Sequence, residues 1–229
     1  MFNFPNTQKP NFSNNRNFDY DTYWHARGKA LNQKLKDREL IILDLISTQH
    51  RVLDIGCGNS LLPVKIKEKG IDIEVADISE AIIKCFSDYQ ITSYLIDLDR
   101  PTEKPLTKNY DVIILSEVLE HLKNPEVAIS ALKDSTKYFI ITIPNSAFYR
   151  YRWHLLITGR FFKQWVYHPS EHLRFWSHID FLDWLKAMEL DLIDFYPANG
   201  FSLLGLWPKL KNWWPNLWAH QIVYFCKVK

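Results

Sequence analysis

The chain has 229 residues with 28 Lys and Arg against 26 Asp and Glu, and a formal charge of +2 excludes a general electrostatic drive towards nucleic acid or an anionic membrane, leaving only a local patch. That length suits one α/β domain with a substantial core and is short for two. Cys57, Cys85 and Cys226 are odd in number and lack CxxC spacing, which excludes a disulfide framework and a thiolate zinc site; with no secretory leader and no apolar run of roughly 18 residues, the chain reads as cytoplasmic.

In chain order, residues 1–18 are rich in Asn, Phe and Pro without an apolar period, and read as a mobile leader before a single domain over 19–229. Tyr20, Tyr23 and Trp24 open an aromatic segment, after which Leu31, Leu35, Leu40, Ile42, Leu43 and Ile46 predict a helix to about Ser47. Short apolar runs predict strands at Arg51–Ile55, Ile73–Asp77, Thr92–Ile96, Tyr110–Ser116, Tyr138–Ile143, Leu190–Tyr196 and Gln221–Lys227. Leu61–Lys69, Glu80–Ser87, Pro125–Lys133 and Ile179–Met188 predict the helices between them. The alternation implies an α/β fold whose mostly parallel sheet is covered on both faces. Residues 145–177 break the rhythm with Arg, His and aromatic residues. They read as an acceptor-site insertion or lid over the carboxyl edge of the sheet, where open α/β folds bind ligands.

The most informative stretch is VLDIGCGNS, residues 52–60, an apolar strand that ends in Asp-x-Gly-x-Gly and enters a helix. Gly56 and Gly58 permit a tight turn and the close approach of a bulky nucleoside cofactor. A dinucleotide fingerprint would put a third glycine where Leu61 stands, and the Asp54 carboxylate repels a pyrophosphate, so both residues disfavour a nicotinamide-dependent oxidoreductase. A ligand with a free amino group and no phosphate suits Asp54, and S-adenosylmethionine (SAM) meets both conditions. Asp77, nineteen residues after Gly58, ends the second strand where a carboxylate accepts hydrogen bonds from both ribose hydroxyls, and Asp97 ends the third within reach of an adenine amino group.

The segments VLDIGCG, VADIS, YLIDLD, YDVIILSEVLEHLKNP, ITIPN, RYRWHLLITGR and HLRFWS together resemble class I SAM-dependent methyltransferases and, within them, the MetW-like group, from about Tyr20 to the C-terminus. The resemblance implies a Rossmann-like seven-stranded sheet ordered 3-2-1-4-5-7-6 with the seventh strand antiparallel. It also implies SAM contacts from Asp54, Gly56, Cys57, Gly58, Asp77, Ile78, Asp97, Leu98 and Ser116. Ser60 stands where many relatives have a third glycine, and serine also suits a helix cap. The same resemblance supports a second function, a SAM-binding partner that modulates another enzyme of methionine metabolism.

Methyl transfer from a sulfonium is an in-line displacement, so the residues that align the acceptor and take its proton matter most. Glu117, Glu120 and His121 follow the fourth strand at the mouth of the sheet; helical spacing would put the two carboxylates on one face with His121 beside them. Three readings of His121 stay open. It is a ligand, with Glu117, Glu120 and His172, of a Mg2+ or Mn2+ ion; or, with Glu120, a metal-free catalytic base or orienting residue; or a structural residue. The Glu-x-x-Glu-His pattern with a later His is similar to the metal-assisted O-methyltransferases of ubiquinone biosynthesis and of small-RNA 3′ ends. That similarity implies the four residues as ligands, converging although His172 lies fifty-one positions after His121. The expected reaction is O-methylation of a small-molecule or glycan- or lipid-linked acceptor, with nucleic acid disfavoured by the charge. Arg150, Arg152, Arg160 and Arg174 read as an anion clamp or as solvated loop residues. His25 and Arg27 read as contacts for the SAM carboxylate or as surface. The tryptophans of Trp207–Trp218 pack on the domain, wall the acceptor, join a homodimer or, with Lys209 and Lys211, touch a membrane interface.

Overall fold

The computed structural model describes residues 20–27, 30–100, 106–159, 161, 172–201 and 209–229. The leader expected over 1–18, residues 160 and 162–171 of the expected lid, and Trp207 lie outside the described residues, as do the side chains of His25 and Arg27. The elements run α1 (Tyr20–Arg27), α2 (Asp37–Leu45), β1 (Arg51–Ile55), α3 (Leu62–Glu68), β2 (Asp72–Asp77), α4 (Glu80–Ile83), β3 (Thr92–Leu95), β4 (Tyr110–Ser116), α5 (Pro125–Leu132), β5 (Thr136–Pro144), α6 (Tyr149–Thr158), α7 (His178–Ala187), β6 (Leu190–Gly200), α8 (Leu210–Trp213), α9 (Pro215–Trp218) and β7 (Ala219–Val228). One sheet orders them β3-β2-β1-β4-β5-β7-β6, with β7 antiparallel to both its neighbours.

The strands are continuously apolar because both faces of the sheet are covered. Along β4, Val112 and Ile114 point to one face and pack with Val52, Ile140 and Val223 beneath Ile42, Leu43, Leu62 and Ile66 of α2 and α3. Ile113 and Leu115 point to the other and pack with Leu53, Phe139 and Ile141 against Ile129 of α5 and Phe181 and Leu185 of α7. This brings the carboxyl ends of β1, β2, β3 and β4 together at one edge, where the loops carrying the candidate residues emerge.

Four expectations change. The helix expected from about Leu31 to Ser47 begins only at Asp37, because Asn32 instead donates its backbone N–H to the Asn59 carbonyl at 2.9 Å, tying the segment before α2 to the glycine loop, and the aromatic segment forms a helix of its own, α1. The helix expected at Glu80–Ser87 is α4 followed by a 3-10 turn over Lys84–Tyr89, closed by Gln90 at φ 53°. Strand β6 continues past Tyr196 through Pro197 to Gly200, which is tolerated because β6 is the outer strand and a missing N–H costs no ladder bond there. Within the aperiodic stretch 145–177 lies a regular helix, α6; its pattern was masked because only Tyr151 and His154 are buried, one of them a polar type. Among the described residues no helix is long and apolar enough to cross a membrane.

Candidate functional site

The loop after β1 is built for close approach. Gly56 and Gly58 adopt φ of 71° and 51°, and a Cβ on them would stand 2.5 Å from Val118 and 2.9 Å from the Trp24 ring. The Gly56 N–H donates to the Ala76 carbonyl at 2.7 Å, and the Gly58 and Ser79 N–H groups each donate to the Asp77 carboxylate at 3.0 Å, so Asp77 ties the ends of β1 and β2 together. Burial pushes the Asp77 carboxyl up, against the pull of these backbone donors, and each oxygen keeps acceptor capacity for a further hydroxyl. Helix α1 covers the cradle: Trp24 lies on Gly58, and the Ser79 hydroxyl donates to Asp21. Tyr20, its hydroxyl pushed up by burial and then by Asp99, Asp77 and Glu120, extends the cover towards the end of β4.

Asp54 is buried, its Oδ1 has no hydrogen-bond partner among the described residues, and its carboxyl is pushed well up by burial and then by Glu39 and Asp77. An acidic, desolvated pocket of this kind favours a cationic ligand. Cys57 is buried with its thiol pushed well up, a packing residue rather than a nucleophile. Ile78 is exposed and Leu98 buried. Asp97 spends Oδ1 on the Asp99 N–H at 2.9 Å, while the Asp99 side chain accepts from the Lys123 N–H at 2.8 Å, joining the β3 loop to the β4 loop. Ser60 is not the N-cap of α3, which is Leu61, but stands one residue before it and accepts from the Leu62 N–H at 3.0 Å.

Sequence reasoning missed Arg38 and Glu39. Both are buried on α2; Glu39 accepts from the Ser60 hydroxyl at 3.0 Å, and the Arg38 guanidinium donates to the Ser116 hydroxyl at 3.2 Å and approaches the Gln221 amide oxygen at 3.5 Å. Arg38 has no carboxylate within 4.0 Å among the described residues, so a buried cation stands at the strand ends with only neutral acceptors. The signal was available: positions 38 and 39 fall one turn before Ile42 and Leu43, on the stripe that α2 turns inward.

The expected four-ligand cluster is corrected to three. Glu120, His121 and His172 bring one ligand atom each within 4.8 Å of one another, but Glu117 is not in that group. The helical face presumed for Glu117 and Glu120 does not form, since Glu117 is left-handed at φ 60° and only Leu119–His121 make a 3-10 turn. The Glu117 carboxylate turns to β7 and β5, accepting from Gln221 at 2.6 Å and Thr142 at 3.4 Å. Ser116 shares this network through Thr142 at 3.1 Å. His172 arrives because the Leu173 and Arg174 N–H groups donate to the Glu120 carbonyl at 2.7 and 3.1 Å, setting the His121 and His172 rings edge to face at 4.7 Å.

Glu120 is fully buried and neither carboxylate oxygen has a hydrogen-bond partner among the described residues. Burial, then Glu117, pushes its carboxyl well up, while burial and the neighbouring His121 hold His172 at about 3. Both shifts favour the uncharged forms of Glu120 and His172, a carboxylic acid and a neutral imidazole. Of the expected arginines, Arg160 lies outside the described residues, while Arg174 donates to the Lys123 carbonyl, Arg152 to the Ala147 and Asn216 carbonyls, and Arg150 lies over Tyr149.

Residues 36–226 match the sequence family described as methionine biosynthesis protein MetW. The chain belongs to the MetW family. Its fold is that of class I SAM-dependent methyltransferases. The magnesium protoporphyrin IX methyltransferase of Synechocystis PCC 6803, solved with bound S-adenosylhomocysteine (SAH), superposes with a TM-score of 0.57 at 15% identity, covering 92% of this chain and 94% of that one. Beyond the MetW family, the chain is similar to ubiquinone biosynthesis O-methyltransferases. It is 28% identical to that of Xanthomonas oryzae over 135 residues, 53% of this chain and 56% of the relative. It is 27% identical to that of Idiomarina loihiensis over 170 residues, 67% of this chain and 68% of the relative. The chain thus spans little more than half the length of the first of these relatives.

Proposed function

We propose that this MetW-family chain transfers the methyl group of SAM to a hydroxyl of a small-molecule or glycan- or lipid-linked acceptor. The observation that carries this reading is the desolvated acidic cradle at Gly56–Gly58, with the orphaned Asp54 oxygen at one end and the Glu120–His121–His172 cluster at the other. Asp77 accepts from the ribose hydroxyls, and Ile78 and Leu98 flank the adenine beside Asp97. Asp54 accepts from the ammonium group, and the Arg38 guanidinium neutralises the carboxylate. SAM supplies an electrophilic methyl on a sulfonium, which becomes the neutral thioether of SAH as the O–CH3 bond forms and the S–CH3 bond breaks. Trp24 and Tyr20 exclude water from the cradle. His121 accepts the acceptor's hydroxyl proton at an imidazole nitrogen, a role its place beside Glu120 and His172 at the end of the cradle supports.

The cluster also fits a divalent cation, since the unpartnered carboxylate oxygens of Glu120 are costly to bury without one. Glu120, His121 and His172 would hold it, and it would lower the pKa of the acceptor hydroxyl. With Glu117 outside the group the donors are two nitrogens and one carboxylate, which suits Mn2+ better than Mg2+. The test is SAH formation with candidate acceptors, after chelation and again with Mn2+ restored. The family description favours a second reading, a SAM-binding modulator of another enzyme of methionine metabolism. SAM binding without SAH formation under any of these conditions would support it against the enzyme.

A further inference from the structure

Helix α6 buries only Tyr151 and His154 and turns a run of large apolar side chains to solvent, with Leu156 74% and Ile157 62% exposed beside exposed Trp153. Helix α8 adds Trp213, 76% exposed, with half-exposed Trp214 after it. The two helices belong to one surface. The Asn145 side chain, on the turn leading into α6, donates to the Pro215, Asn216 and Ala219 carbonyls at 3.2, 3.1 and 2.8 Å, and Tyr149 packs on Trp218 with ring centroids 5.3 Å apart.

Within the two segments that carry these helices the charge has one sign. Residues 145–161 and 209–220 contain no Asp or Glu, while Arg150, Arg152 and Lys209 lie among the exposed aromatics. Lys211 is engaged with Asp37 at 3.2 Å and is left out of the count. Exposed tryptophan, branched aliphatics and cations without counter-charges are the composition that partitions into an anionic bilayer interface. A second copy fits less well, because an isologous contact would oppose like charges. The surface also reaches the candidate site: the Ser146 N–H, at the foot of α6, donates to the Trp176 carbonyl at 2.9 Å, and the same segment anchors Leu173 to Glu120.

We propose that α6 and the α8–α9 turn form a docking surface for an anionic lipid bilayer, lying in the interface rather than crossing it, and that the acceptor is presented there from the lipid surface. The second clause rests on the methyltransferase reading; the first is measured without SAM or turnover, so the two fail separately.

The full chain is sedimented with vesicles of phosphatidylcholine alone and of phosphatidylcholine with about one third phosphatidylglycerol. The expected result is binding at least about tenfold tighter to the anionic vesicles, with a blue shift of tryptophan emission. Leu156→Asp with Ile157→Asp should reduce that binding by at least about tenfold while leaving SAM affinity unchanged, and Arg150→Gln with Lys209→Gln should remove the preference for anionic lipid. If the double aspartate variant does not fold, Trp213→Ser repeats the test on α8. Absence of binding to anionic vesicles, or binding that these substitutions leave intact, overturns the proposal. A dimer in sedimentation velocity that the aspartates dissociate would also overturn it, by assigning the surface to a second copy.

Discussion

Glu120→Met should make the protein more stable and inactive at once. The wild-type side chain is fully buried, its carboxyl is pushed well up by burial and then by Glu117, and neither oxygen has a hydrogen-bond partner among the described residues. Leaving such a group unsatisfied costs about 1–3 kcal/mol. Methionine has similar length and volume, carries no polar oxygen and adapts to irregular cavities, so the substitution itself costs less than about 1.5 kcal/mol. The net expectation is a gain of about 1 kcal/mol, which for a domain of this size raises Tm by about 2–4 °C. Calorimetric unfolding in chelator compares the two proteins without a cation, and SAH formation by the variant should fall at least about a hundredfold if Glu120 serves the chemistry. A Met variant that unfolds earlier than wild type in chelator refutes the reasoning, because the carboxyl would then be making a stabilising contact of its own.

Three further substitutions probe the rest. Gly58→Ala would force a Cβ to within 2.9 Å of Trp24 at a φ of 51°, so SAM affinity should drop by at least about tenfold and stability by about 1–2 kcal/mol, measured by calorimetry and denaturant unfolding. Arg38→Gln should weaken SAM by about ten- to a hundredfold but leave adenosine affinity unchanged, since only SAM carries the carboxylate; equal losses for both ligands would assign Arg38 a structural role. Burial raises the Glu74 carboxyl, but donors from Lys108, Tyr110 and Tyr94 outweigh it and hold the group at about 2, below the ordinary 4.5. That depressed value stabilises the fold fully above about pH 5 and is lost as pH falls towards 2, an effect of about 1–2 kcal/mol after discounting for half-exposed Lys108. Lys108→Met should flatten the acid limb of the stability profile, and an unchanged limb would remove Glu74 as its source.

Much of this was legible in the residues. The strands announced themselves as apolar runs because the sheet is covered on both faces, and the turn at Gly56 and Gly58 was legible because a positive φ and close approach demand glycine. Glu117 was misjudged because three-residue spacing implies a shared face only on a helix, and a left-handed Glu117 turns the chain instead. Arg38 was missed because a charged residue on an apolar stripe reads as solvated until the site beneath it is seen. Helix α6 escaped notice because periodicity analysis looks for apolar residues facing inward, and here most of them face out.

Titration calorimetry of SAM into the wild-type chain and into Asp77→Ala tests the central claim most directly. One SAM per chain should bind wild type, and the variant, still folded by circular dichroism, should bind about a hundredfold more weakly for loss of the proposed acceptor of both ribose hydroxyls, a carboxylate held at the ends of β1 and β2. No SAM binding by wild type, or equal affinity in the folded variant, would contradict the account.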